Sequence, residues 1–574
     1  MIGAGAGFDR GVRARAVRRL VVLGLAVVVA GMLPPVAGLA SPGPAGRPVA
    51  VIVRTDPAVQ ARAERLVTQA GGRVGRRLPV ISGFAATLPG PALTRLRRMA
   101  GVTSVTVDGA VQLSGKAPKG AAQFGDDADR GTINDLTKAI GAQAMWGKQL
   151  TGKGVDVALI DTGVVPVDGL RRTGKLYQGP DLSLESQDPD LTHLDTNGHG
   201  THMAGIIAGR DDATTANLAD PRHFVGVAPD ARLVSVKVGA ASGAVDVSQL
   251  IAAIDWVIQH RRDNGLNIRV LNLSLGTDSI QPYTLDPLMY AAEVAWRKGI
   301  TVVVAAGNQG TTRGRLDDPA TDPFLLAVGA SDTGSTTDLK DDQVAEFSSR
   351  GNGVRNPDLV APGRSVASLR APGSYNDTNY PAAVVADRFF RGSGSSQAAA
   401  VVSGAAALLL QQRPTLTPDQ LKALLSASAR PLAGFTAAAQ GAGSLDLAKA
   451  QGTATPTSTQ RWTLATGIGS LEAARGTSHL TDGTVELRGE QDIFGVPFDT
   501  RSWAATSLAG TSWSGGTFNT SGWTGTTWSG TIWSGRMWSG RMWSGRMWSG
   551  RMWSADIWSG RMWSGRMWST GLYS

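Results

Sequence analysis

The chain contains no cysteine, which excludes disulfides, thiolate zinc sites and a cysteine nucleophile. Histidine is scarce, with six residues in 574, so each candidate acid–base imidazole can be weighed by itself. Long apolar runs are also missing. Beyond Leu20 to Leu33, no stretch is long and apolar enough to span a membrane. Apolar side chains are not short overall: 42% of residues are hydrophobic and 18% charged, which excludes global disorder. At 574 residues the chain exceeds one ordinary domain and suggests two to four segments.

The net charge of +10 is unevenly distributed. Residues 1–50 carry +5, residues 51–112 carry +6 and residues 501–574 carry +6, which leaves −7 for residues 113–500. The basic character belongs to the ends, so an anionic partner would meet the C-terminal tail and not the middle. No nucleic-acid partner is expected.

Arg10, Arg13, Arg15, Arg18 and Arg19 precede the apolar run Leu20 to Leu33, and Pro34-Pro35 and small residues follow to Ala40. This pattern reads as a secretory signal peptide over residues 1–40. As a helix the run would span roughly 21 Å, short of the ~30 Å bilayer core, which makes a membrane anchor the weaker alternative. Residues 48–112 alternate strand and helix patterns. Val49 to Val53, Val80 to Leu88 and Val102 to Val107 read as strands, Pro57 to Ala70 and Ala92 to Met99 as helices, with one more strand allowed near Arg73 to Leu78. The segment is a small α+β unit.

Three motifs follow in order. Val155 to Ile160 is a near-continuous apolar strand, as in a buried parallel sheet, and it ends in Asp161-Thr162-Gly163. Asn197 to Gly205 reads Asn-Gly-His-Gly-Thr-His-Met-Ala-Gly and opens a helix. Gly392-Ser393-Gly394-Ser395-Ser396-Gln397-Ala398 precedes the apolar stretch Ala399 to Leu410. An Asp at a strand's C-terminal end, with a His and a Ser at helix starts, lies where open α/β sheets place their sites. The chemistry suits acyl transfer. A serine hydroxyl becomes a nucleophile when an imidazole takes its proton, and a carboxylate on the far ring nitrogen sets the tautomer. Each motif alone is modest evidence, and their joint order makes the case.

Over residues 134–450 the chain resembles the subtilisin-like serine proteases. Their Asp, His and Ser motifs match Asp161-Thr162-Gly163, Gly198 to Gly205 and Gly394 to Ala398, with further likeness in Val227-Ala228-Pro229, Phe347 to Gly351 and Leu359 to Gly363. The resemblance implies a doubly wound, mostly parallel sheet with helices on both faces. It also implies a secreted serine endopeptidase acting on polypeptides through an Asp161/His199/Ser396 triad. Asn308, in Gly307-Asn308-Gln309-Gly310 after an apolar strand, matches the family's oxyanion-hole amide. Ser274, Leu275 and Gly276 match the backbone that pairs with the substrate, with Gly276 leaving room for a substrate side chain. Gln397 stands where Met is usual, Ala400-Val401 where Pro-His is usual, and Met203 where Val is common; none of these removes a catalytic atom.

The resemblance also implies that residues 48–112 are a ferredoxin-like, β-α-β-β-α-β prodomain, an intramolecular inhibitor that is cut off within residues 113–133. The protein would then be made as a zymogen. No cofactor is expected for catalysis. The family often holds structural calcium, for which the sequence offers several Asp clusters, such as Asp317-Asp318 and Asp341-Asp342, although exposed acids are usually only solvated. His202, three residues after His199, lacks the spacing of a metal pair and reads as structural. His193, His223, His260 and His479 have no motif around them.

Residues 451–460 read as a linker and residues 461–500 as short-stranded. Residues 501–574 form a comb. Trp503, Trp513 and Trp523 lead to Trp at every fifth position from Trp528 to Trp568, with Phe498, Leu508, Phe518 and Tyr573 as further teeth. The unit is mostly Trp-Ser-Gly-Arg-Met. In a helix successive teeth would rotate by about 140°, so no stripe forms. Three readings stay open: a β-solenoid with Trp inside, a flexible display, or a surface that contacts cell wall, glycan or anionic membrane. The comb also motivates a second function class, an adhesive protein whose protease-like part is incidental. Location is expected to be extracellular, with the tail as the means of any cell-surface attachment.

Overall fold

The computed structural model of the chain describes residues 49–56, 58–78, 83–107, 132–186, 188, 190–212, 217–334, 336–482 and 485–523. The expected signal peptide, residues 113–131 of the processing linker and the repeats after residue 523 lie outside these. Among the described residues no helix is long and apolar enough to cross a membrane.

The first elements are β1 (Val49–Thr55), α1 (Gln60–Gln69), β2 (Arg73–Leu78), β3 (Gly83–Leu88), α2 (Gly90–Arg97) and β4 (Val102–Val107). The optional strand at Arg73 is therefore present. The four strands form an antiparallel sheet in the order β2-β3-β1-β4. Val51, Val53, Phe84 and Leu88 face Ala63, Val67 and Leu96 in a core of their own. A β-α-β-β-α-β unit results, because alternate strand residues and one stripe of each helix are apolar.

The larger part continues with α3 (Ile133–Ala139), α4 (Ala142–Trp146), β5 (Asp156–Asp161), β6 (Leu176–Asp181), α5 (His199–Ala208), β7 (Arg232–Lys237), α6 (Val247–His260), β8 (Ile268–Leu273), α7 (Pro287–Arg297), β9 (Thr301–Ala305), β10 (Leu326–Asp332), β11 (Gln343–Val344), β12 (Leu359–Pro362), β13 (Val366–Leu369), α8 (Tyr375–Asn379), β14 (Val384–Val385), β15 (Phe389–Gly392), α9 (Ser395–Gln412) and α10 (Pro418–Ser428). The main sheet runs β11-β10-β9-β8-β5-β7-β6, with β12 also on β10. Every pairing is parallel except β10 with β11. All six residues of β5 are buried, so both faces of the sheet are covered, as parallel sheets require. Helices α5 and α9 pack on each other, as do α6 and α7. Their ends are set by local chemistry: Asp246 and Gln249 form a capping box at α6, and Thr417 and Gln420 form one at α10.

The chain visits β6 and β7 on one side of β5 and then β8 and β9 on the other. The carboxyl end of β5 is thus the point where the winding reverses, and a crevice opens there.

Residues 451–523 correct two expectations and narrow a third. The linker is not a boundary, because Gln460 bonds to Asp419 and to the Phe324 carbonyl, and Ala465, Leu471, Leu480 and Phe494 after it join the main core. Among the described residues of 461–500 the strands are few: the segment holds the helix Leu471–Arg475 and a ladder of two-residue strands, Thr481–Asp482 with Val485–Glu486. The comb does not begin as a display. The helix Thr500–Ala509 and the strands Trp513–Ser514, Thr517–Phe518 and Ser521–Gly522 form a strap over α6 and α7. Phe498, Trp503, Trp513, Phe518 and Trp523 are buried, while Leu508 is exposed. Leu508 follows Trp503 by five helical residues, so it leaves the buried face. Trp503 Nε1 donates to Asp255 (2.7 Å), Ser507 Oγ donates to the same carboxylate (2.6 Å) and Trp513 Nε1 donates to the Ala252 carbonyl (2.8 Å). Arg475 and Asp246 form a fully buried ion pair at 2.7 Å.

Candidate active site

Asp161 closes β5 and is buried. His199 is the first residue of α5, after Gly198 in a left-handed conformation at φ 98°. Its Nδ1 lies 2.7 Å from Asp161 Oδ1. A carboxylate can only accept, so Nδ1 carries the proton and Nε2 presents a lone pair. Burial disfavours the imidazolium, but the charge and hydrogen bond of Asp161, with the charge of Asp195 behind, outweigh it. The His199 pKa is therefore held above the usual imidazole value.

Asp195, which no motif signalled, organises this corner. Its buried carboxylate accepts from the backbone N–H of Gly198 (2.7 Å) and Thr201 (2.6 Å) and from Thr162 Oγ1 (2.7 Å). Thr162 Oγ1 in turn accepts from the Gly200 N–H at 2.9 Å. The loop after β5 and the start of α5 are thereby tied together. Only glycine fits at 200, where a Cβ would lie 2.1 Å from the Gly163 carbonyl oxygen. His202 plays the structural part expected of it. Its Nε2 donates to the Phe390 (3.0 Å) and Val366 (3.2 Å) carbonyls, and burial pushes its pKa down to about 4.

Ser396 is the second residue of α9 and almost fully buried. Its hydroxyl donates to the Ser274 carbonyl at 3.2 Å. That is long for O–H···O, and no hydrogen bond joins Ser396 to His199 here. Catalytic hydrogen bonds are commonly loose before substrate arrives. Asn308 follows β9. Its Oδ1 accepts from the Ser395 N–H (2.8 Å) and hydroxyl (3.1 Å), while Ser395 Oγ accepts from the Gly307 N–H (3.0 Å). With Oδ1 engaged on Ser395, Nδ2 is the end of the carboxamide left to donate. A Cβ on Gly394 would lie 3.4 Å from that nitrogen.

Ser274, Leu275 and Gly276 follow the end of β8. On its Cβ side Gly276 is closed in, which adds a reason for glycine there beside the expected room for a substrate side chain. A Cβ would lie 2.6 Å from the Asp318 carbonyl, because Thr277 and Asp318 pair backbone to backbone at 2.9 Å both ways. Both acidic pairs are engaged with protein groups. Asp317 faces Arg313, Asp318 accepts from Thr321, Asp342 faces Arg430 and Asp341 accepts from Thr336. Among the described residues no group of three or more His, Asp or Glu side chains could hold a metal ion.

The Subtilase family model matches residues 152–462, more than half of the chain. The chain belongs to the subtilase family. Serine protease AprX of Bacillus subtilis is 38% identical over 285 residues, which cover 49% of this chain and 62% of that protein. Subtilisin E of Bacillus subtilis is 30% identical over 372 residues, 64% of this chain and 81% of its own. The chain thus spans less than two thirds of the length of AprX. The crystal structure of fervidolysin from Fervidobacterium pennivorans aligns at 24% identity and a TM-score of 0.45, over 73% of this chain and 63% of that one. A putative peptidase inhibitor domain model matches residues 22–108. That match starts inside the apolar run assigned to the signal peptide, ahead of β1.

In this subtilase the Met-to-Gln departure beside the serine has a visible setting. Gln397 is buried, and its side chain lies over the loop, so that Cβ atoms on Gly392 and Gly394 would meet it at 2.6 and 2.8 Å.

Proposed function

We propose that this subtilase is an exported serine endopeptidase whose Asp161, His199 and Ser396 hydrolyse peptide bonds through an acyl-enzyme. The observation that carries the reading is the 2.7 Å bond between Asp161 and His199 Nδ1, which leaves Nε2 as the base. Ser396 Oγ attacks the scissile carbonyl carbon while its proton passes to His199 Nε2. Asp161 stabilises the resulting imidazolium. The tetrahedral oxyanion accepts from Asn308 Nδ2 and the Ser396 N–H, aided by the positive end of α9. Collapse expels the amine, which takes the proton from His199, and water then repeats the sequence to release the acid. All of these groups are protein groups, so no cofactor is needed. Substrate lies along Ser274 to Gly276 as an added strand.

The unit from β1 to β4 serves as intramolecular inhibitor, as its match to an inhibitor-type model supports, and is released by cleavage within residues 113–133. Export rests on the basic and apolar N-terminal pattern. The repeats beyond residue 523, with nine Trp and six Arg, are the part left to contact a cell wall, glycan or anionic surface. A fluorophosphonate probe labels the secreted protein at Ser396, and Ser396→Ala removes both labelling and casein hydrolysis. Casein hydrolysis persisting in that variant would end the proposal.

A further inference from the structure

The strap over α6 creates a pocket that the proteolytic reading does not use. It has a volume of about 350 Å³ and lies between the edge strand β6, the end of α6 and the hairpin at Gly515-Gly516. This is within the range of small-molecule sites, roughly 300–1,000 Å³. None of its lining residues is Asp, Glu, Lys or Arg. Its wall is aromatic: the half-buried Trp256 ring stacks on His260 with centroids 4.5 Å apart and planes at 16°, and Trp513 closes the side. The wall is held in place. Gln259 grips the backbone of Trp513 through both amide atoms (3.0 and 3.2 Å), and the Trp256 ring lies over Gly179, where a Cβ would meet it at 3.2 Å. Polar groups complete it. His260 Nδ1 donates to the Trp256 carbonyl at 2.8 Å, which leaves Nε2 as the ring's other polar atom, and the exposed Gln178 carboxamide offers both a donor and an acceptor.

We propose that this pocket binds a neutral glycan. A pyranose ring has an apolar C–H face, which suits the Trp256–His260 wall, and a rim of hydroxyls, which suits amide and imidazole partners. The absence of a charged lining residue argues against phosphate, sulfate or carboxylate ligands. An extended peptide added to β6 fits less well, because the ladder of β6 is irregular between Gln178 and Asp181, at the pocket itself. Such a site would place the catalytic body itself on a polysaccharide, whatever the repeats bind.

The test uses the full chain carrying Ser396→Ala to prevent self-cleavage. Titration calorimetry with chitotriose, cellotriose and maltotriose is expected to give saturable binding of at least one of them. Trp256→Ala weakens that binding about tenfold or more, and Gln178→Ala weakens it measurably. Gln178 is exposed, so this second variant decides the matter if Trp256→Ala fails to fold. The proposal is overturned if none of the three sugars binds, if binding in Gln178→Ala and in folded Trp256→Ala equals that of the parent, or if a sulfated heparin trisaccharide or an unstructured peptide binds this pocket more tightly than the neutral sugars.

Discussion

Asp255 is the acid on which the strap is hung, and its protonation gives the sharpest test of that packing. It is fully buried on α6 and accepts from Trp503 Nε1 and Ser507 Oγ. Burial raises its pKa from 3.8 to about 6, more than the hydrogen bonds from Ser507, Trp503 and Ser512 lower it. The folded carboxyl therefore holds its proton more tightly than the unfolded one. The associated stability is present in full below about pH 4 and is lost as the pH rises through about 6. Two pH units at about 1.36 kcal/mol each make this loss about 3 kcal/mol. Asp255→Asn keeps the volume and cannot ionise, but it turns an NH2 toward one of two donors, at a pH-independent cost of roughly 1–3 kcal/mol. In urea unfolding followed by circular dichroism, on the Ser396→Ala background, the variant is expected to be the less stable at pH 4. It should draw level or lead by pH 7.5, a relative swing of about 3 kcal/mol. Asp492 and Glu293, at about 6 and about 7, titrate in both proteins and cancel. A difference that stays constant from pH 4 to 7.5 refutes the argument.

Three further outcomes are expected. Asn308→Ala should lower kcat by about 10²–10³ with little change in KM, a magnitude that comes from the equivalent experiment on subtilisin itself; a larger effect on KM would mean that the amide binds ground-state substrate. His199 must be neutral to act as base, and its pKa is raised, so the acid limb of kcat/KM should fall above the ordinary imidazole value of about 6.5; a limb below 6 would contradict the Asp161 contact. Gly276→Ala forces a Cβ toward the Asp318 carbonyl, and is expected to cost about 1–3 kcal/mol in thermal or urea stability as well as kcat/KM; unchanged stability would mean that the substrate side of Gly276 alone selects glycine.

The candidate site was legible in sequence where backbone position and chemistry coincide. Asp161 ends an apolar strand, and His199 and Ser396 begin helices, so local pattern placed all three at one end of the sheet. Asp195 was not legible. Its role arises from donors on both sides of a loop, at Thr162 and Thr201, and no spacing encodes that meeting. Gly276 shows the same limit: a missing side chain can be read, but the Asp318 carbonyl that requires it arrives from a segment 42 residues later.

The comb marks the division most clearly. Sequence alone determines its period of five, its abundance of Trp and its incompatibility with a single helical stripe. Only the tertiary structure decides that Trp503, Trp513, Phe518 and Trp523 are core while Leu508 is surface. The reason is that burial belongs to a pair of surfaces. Trp503 and Trp513 are interior because α6 and α7 present a face with Asp255 and the Ala252 carbonyl positioned to take their indole N–H groups, Phe518 and Trp523 pack on the Trp513 ring and on each other, and the repeat by itself carries no information about that face.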